Sequence, residues 1–93
     1  MSESVKRYTI KIEEAAGRFI NKQTARIKRQ LFNKIASLCE QPDNKGEKLK
    51  GPYDLFKIRS GDYSIIYQVK KNILLVLVVR VGYRKDIYKQ LFR

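Results

Sequence analysis

The sequence predicts a small α+β domain, and three observations carry that prediction. A chain of 93 residues closes one hydrophobic core and has no room for a second, so a single domain over residues 1–93 is expected. Strand-like and helix-like periodicities occur in separate blocks, in the order β-α-α-β-β-β-α. Apolar residues make up 43% of the chain, enough for a compact core, and no repeat, low-complexity segment or linker interrupts the pattern.

The first block, Arg7 to Glu13, alternates Tyr8, Ile10 and Ile12 with Arg7, Thr9 and Lys11, the period of a half-buried strand. A helix follows, with Ala15, Ala16, Phe19 and Ile20 on one face and Glu13 and Glu14 in the first turn, where the helix dipole favours acids. In the second helix Ile27, Leu31, Ile35 and Leu38 form an apolar stripe widened by Phe32 and Cys39, with Thr24 as its cap. A short joint near Asn21 to Thr24 makes the two an antiparallel hairpin. Residues 42–54, rich in Gly, Pro, Asn and Asp, are expected to be a loop. Three strands then follow: Leu55 to Arg59, Tyr63 to Val69 and Ile73 to Val81. Ser60-Gly61-Asp62 is expected as a three-residue turn and Lys70-Lys71-Asn72 as the next. The last strand is apolar on both faces and so belongs at the centre of the sheet. Ile87, Tyr88 and Leu91 suggest a closing helix.

Charge narrows the function. Lys plus Arg number 21 against 9 acids, a net charge of +12 that favours a polyanionic partner. With no histidine in the sequence, an imidazole base, a His-ligated metal and a Ser-His-Asp triad are excluded, and with one cysteine zinc is not expected. No cofactor is expected. The lone Cys39 reads as a small buried hydrophobe. No apolar run reaches membrane-spanning length and the N-terminus lacks a signal-peptide core, so a cytoplasmic protein is expected. Residues 15–39 carry no acid, and the 4 and 3 spacing of Lys22, Arg26 and Arg29 predicts one basic face suited to phosphate backbones.

Several short motifs follow one another in the second half: Lys48-Leu49-Lys50-Gly51, Phe56-Lys57-Ile58-Arg59, Gly61-Asp62-Tyr63-Ser64-Ile65-Ile66-Tyr67, Val81-Gly82-Tyr83-Arg84 and Asp86-Ile87-Tyr88. In this combination and spacing the chain resembles the RelE/ParE superfamily of toxin–antitoxin toxins over nearly its whole length. The resemblance implies an antiparallel sheet packed against a helical hairpin, and a toxin held inactive by a cognate, RelB-like antitoxin with an acidic or amphipathic segment. Promoter DNA would be reached only through the antitoxin complex. The RelE branch implies an endoribonuclease that cuts messenger RNA in the ribosomal A site without a metal. Its catalytic and phosphate-binding set falls on Lys57, Arg59, Arg84 and Tyr88. Ser64 departs from the pattern, since the family often has arginine there. Lys22, Arg26, Arg29, Lys48, Lys50 and Tyr83 complete the expected RNA or ribosome contacts.

Those residue types suit the chemistry. If the 2′-hydroxyl attacks its own phosphate, the protein must accept a proton, stabilise charge on phosphorus and protonate the leaving oxygen. Lys57 is the candidate base. Arg59 and Arg84 can grip phosphate oxygens with planar guanidinium forks. Tyr88 can stack on a base or orient the hydroxyl, and Tyr83 is the better stacking candidate among the other tyrosines, Tyr63 and Tyr67 being expected in the core. Two further readings stand beside this one: a ParE-type gyrase poison on the same fold, and a non-catalytic RNA-binding module.

Overall fold

The computed structural model describes residues 7–51 and 54–87. In chain order the elements are β1 (Thr9–Ile12), α1 (Glu14–Asn21), α2 (Ala25–Ala36), α3 (Pro42–Lys45), β2 (Glu47–Lys48), β3 (Leu55–Ser60), β4 (Tyr63–Lys70) and β5 (Leu75–Tyr83). One sheet runs β1-β5-β4-β3-β2, so β4, with β5 beside it, lies at the centre. The predicted order of the two long helices and the four main strands holds. The segment expected as a loop instead contains the one-turn α3 and the short edge strand β2. The expected closing helix falls mainly on residues beyond Ile87, and these, with Tyr53, lie outside the described residues.

The sheet is mixed rather than antiparallel throughout. β1 pairs with β5 in parallel, Thr9 opposite Leu75 through Ile12 opposite Val78, while the other pairings are antiparallel. Parallel pairing needs a long crossover, and the helices and three strands between β1 and β5 supply one.

Local chemistry explains the helices. α1 begins with Glu14, which pairs with Arg18 one turn on at 3.1 Å, and buries Ala16 and Ile20. Thr24 caps α2 by accepting the Ile27 N–H at 3.4 Å. Leu31, Ile35 and Leu38 are buried against the sheet. Phe32, expected to widen that stripe, is 42% exposed on the outer side, and Cys39 is half-buried rather than buried. From the sheet, Phe56, Ile65, Tyr67, Val76, Val78 and Val81 meet the helices in one core, with Tyr63 and Ile58 at its margin.

Two packing details shape the sheet's two faces. The Tyr67 hydroxyl donates to the Pro42 carbonyl at 2.7 Å, pinning α3 to the sheet from within the core. Burial pushes its phenol up to about 12. Gly46 lies against that ring; a Cβ there would collide with the hydroxyl and approach the Lys57 carbonyl to 2.8 Å. In β5 the register slips by one residue, because Ile66 faces Arg80 whereas Tyr67 faces Val78. The extra residue, Val79, is a bulge. It lets Val76, Val78 and Val81 all reach the helical core and turns Arg80 to the opposite face.

Candidate functional site

The site forms at the β3–β4 hairpin end, on the sheet face away from the helices. Ser60 pairs with Tyr63, so the turn is the two-residue Gly61-Asp62 rather than the three-residue loop expected. Gly61 has φ +62° at the first central position, the pattern of a type II′ turn, whose twist suits a hairpin. Gln30 on α2 donates to the Ser60 carbonyl and hydroxyl at 3.1 and 3.2 Å, holding the hairpin to the helices. The Arg84 N–H donates to the Asp62 carbonyl at 3.0 Å, which binds the end of β5 to the same turn.

Register then decides which side chains share the far face. Arg59 faces Ser64, and Ser64 faces Gly82. Ser64 is 1% exposed and Gly82 is buried, so the floor between the cations is made of small residues. Above it lies a cleft of about 550 Å³ lined by Lys57, Arg59, Ser64, Tyr83 and Arg84, and also by Asp62, Tyr63 and Lys85. Four cations thus face one carboxylate around an open hollow, an arrangement that attracts an anion and can stabilise added negative charge on it.

The two strand cations differ in setting. Arg59 and Arg84 are exposed. Lys57 is largely covered, its side chain 10% exposed, with Nζ 3.7 Å from a carboxylate oxygen of Glu47 across the β2–β3 pair. The edge strand β2, unforeseen in the sequence, is what brings Glu47 there. At the rim, Tyr63 and Tyr83 stack with ring centroids 5.1 Å apart, and Phe19 meets both edge-on at 6.0 and 5.7 Å. Tyr83 is the outer ring, 43% exposed. Tyr63 is half-buried and shared between core and cleft; burial, then the Tyr83 hydroxyl, raise its phenol above the ordinary value.

The remaining expected contacts are not at the cleft. Lys22 caps the end of α1, whereas Arg26 and Arg29 belong to α2, so the three do not share one helix face. The 4 and 3 spacing has no helical meaning across the break at Gln23 and Thr24. All three are nevertheless exposed. Lys48 pairs with Asp54 at 3.3 Å beside a separate depression, and Lys50 is exposed in the following loop. Tyr88 lies outside the described residues. Asp62 and Lys85 escaped the sequence reading because one looks like a turn residue and the other like a surface lysine; their nearness follows from the Asp62–Arg84 backbone bond. Among the described residues, no group of three or more carboxylate or thiol side chains gathers as metal ligands do.

Comparison with known proteins agrees with this architecture. Residues 2–88 match the family model described as ParE toxin of type II toxin-antitoxin system, parDE. A putative RelE-like toxin protein of Escherichia coli is 34% identical over 86 residues, 88% of this chain and 90% of its own. The mRNA interferase toxin RelE of Escherichia coli strain K12 is 31% identical over 87 residues, 89% of this chain and 92% of its own. Among solved structures, the intact E. coli RelBE toxin-antitoxin complex superposes with a TM-score of 0.72 at 32% identity, covering 82% of this chain and 95% of that one. The chain therefore belongs to the RelE/ParE superfamily of type II toxin–antitoxin toxins.

Proposed function

We propose that the protein is a ribosome-dependent endoribonuclease that cuts messenger RNA in the A site by 2′-hydroxyl attack, without a metal. The observation that carries this reading is the convergence of Lys57, Arg59 and Arg84 on one cleft floored by small residues. In this scheme Lys57 accepts the 2′-hydroxyl proton as the 2′-oxygen bonds to phosphorus and the P–O5′ bond breaks, water protonates the leaving 5′-oxygen, Arg59 and Arg84 grip the phosphate oxygens as charge builds on them, and Tyr83 offers a ring face to a neighbouring base. Tyr88 is proposed to stack on a base or to orient the hydroxyl. Lys22, Arg26, Arg29, Lys48 and Lys50 are proposed to contact ribosomal or messenger RNA as separate exposed cations rather than as one stripe. The relatives named as mRNA interferases support the activity. Their complexes with RelB support a cognate antitoxin here, one whose acidic, amphipathic segment would neutralise the +12 chain. The protein would act in the cytoplasm, where its ribosomal target is.

A second reading has its own support. The matching family model is that of ParE toxins, and Ser64 removes an arginine common in the ribonuclease branch. On this reading the protein poisons DNA gyrase by surface contact and the cleft is idle. Purified protein added to ribosomes programmed with a defined A-site codon, followed by primer extension, separates the two. Cleavage within that codon supports the ribonuclease. Intact message, together with a DNA-damage response and undisturbed translation on expression in cells, supports the gyrase poison.

A further inference from the structure

We infer that Arg80 forms a second phosphate subsite on the cleft face, one that holds a linkage of the RNA strand next to the one being cut; the choice of RNA rests on the reading above. Strand alternation alone would send Arg80 towards the helices with Val76 and Val78. The bulge at Val79 reverses that and sets Arg80 in the same cross-strand row as Ile66 and Lys57. Side chains in such a row share a face, and two strand spacings place Arg80 about 9–10 Å from Lys57. Farther along β5, Gly82 stands on that same face, and the strand leads directly into Arg84 at the cleft. Arg80 is half-buried. One of its five guanidinium donors goes to the carbonyl of the bulged Val79 at 3.0 Å. No carboxylate of the described residues pairs with it, although Glu47 pairs with Lys57 in the same row. A guanidinium fixed at one corner, with no acid and no second acceptor for it among the described residues, is set to receive a phosphate oxygen.

Fluorescence anisotropy of the full chain with a labelled 2′-O-methyl RNA tests this, because that RNA binds but cannot be cut by its own 2′-hydroxyl. Across a salt series, Arg80→Gln should bind more weakly, with a slope of log affinity against log salt shallower by about 0.7, the loss of one phosphate contact on a single strand. Replacing linkages one at a time with neutral methylphosphonates should reveal one position whose neutralisation weakens the parent but not Arg80→Gln. An unchanged slope, or additive losses at every position, overturns the subsite. If Arg80→Gln does not fold, the parent decides: its Arg80 Nε–H resonance should move on adding the all-phosphate RNA and not with the RNA neutral at that linkage, and equal movement with both overturns the proposal. Failure of the nuclease reading looks different, since message would stay intact on ribosomes while the Arg80 slope change persisted.

Discussion

Lys57 and Arg84 sit in contrasting surroundings, and their substitutions should be distinguishable. In the proposed scheme Lys57, covered and with Nζ 3.7 Å from Glu47, is the group that takes the proton. Lys57→Ala should therefore remove the limb of the cleavage pH profile that reports the base, in addition to lowering the rate; a profile of unchanged shape would assign the base elsewhere. Ser64 lies on the cleft floor, so an arginine introduced there can rise through the hollow with its charged head in water. Ser64→Arg should raise the single-turnover rate, and a lower rate would show that another cation already fills that role. Tyr67 gives a stability prediction. Its phenol is pushed up to about 12 from an ordinary 10.0, so it favours folding while protonated. That contribution is complete below about pH 10 and is lost as pH rises towards about 12. Chemical denaturation at stepped pH should show this loss in the parent and not in Tyr67→Phe.

At the scale of elements, two glycines hold the site's framework. Gly61→Ala places a side chain at φ +62° and its Cβ 2.8 Å from Gln30 Nε2, so a cost of about 1–2 kcal/mol is expected from the backbone alone. Gly46→Ala should cost about 1–3 kcal/mol by overpacking against Tyr67 and the Lys57 backbone. Urea titration checks both, and parent-like midpoints would contradict the packing described. The helices and main strands were legible in the sequence because their apolar periods are strong, as with Leu31, Ile35 and Leu38. The parallel partner of β1 was not, since pairing depends on distant strands. The bulge at Val79 was hidden inside an apolar run whose residues fit either face, and with it the facing of Arg80. β2 is two residues long, too short to show a period, so the covering of Lys57 by Glu47 could not be read. Lys57, Arg59, Ser64, Tyr83 and Arg84 were singled out through family motifs, whereas Asp62 and Lys85 enter the cleft through backbone geometry.

For the whole molecule, charge has two addresses. One is the cleft; the other is the helical side, where Lys22, Arg26 and Arg29 are exposed on an acid-free segment. Replacing those three with Gln should weaken ribosome association and flatten its salt dependence while leaving the thermal midpoint nearly unchanged, because exposed charges contribute little to folding. An unchanged salt slope would reduce them to a solvated surface. Cleavage itself should depend on the ribosome, since orientation of message in the A site can supply the rate that a lysine base lacks. Equal rates on free and ribosome-bound message would contradict that. The most direct test of the account is single-turnover cleavage of an A-site codon by the parent and by Arg84→Ala, with binding measured alongside. If Arg84 stabilises charge that develops only in the transition state, Arg84→Ala should cut the rate by about a hundredfold or more with little change in binding, and Arg84→Lys should recover only part. Cleavage by Arg84→Ala at the parent rate would contradict the catalytic role of the cleft.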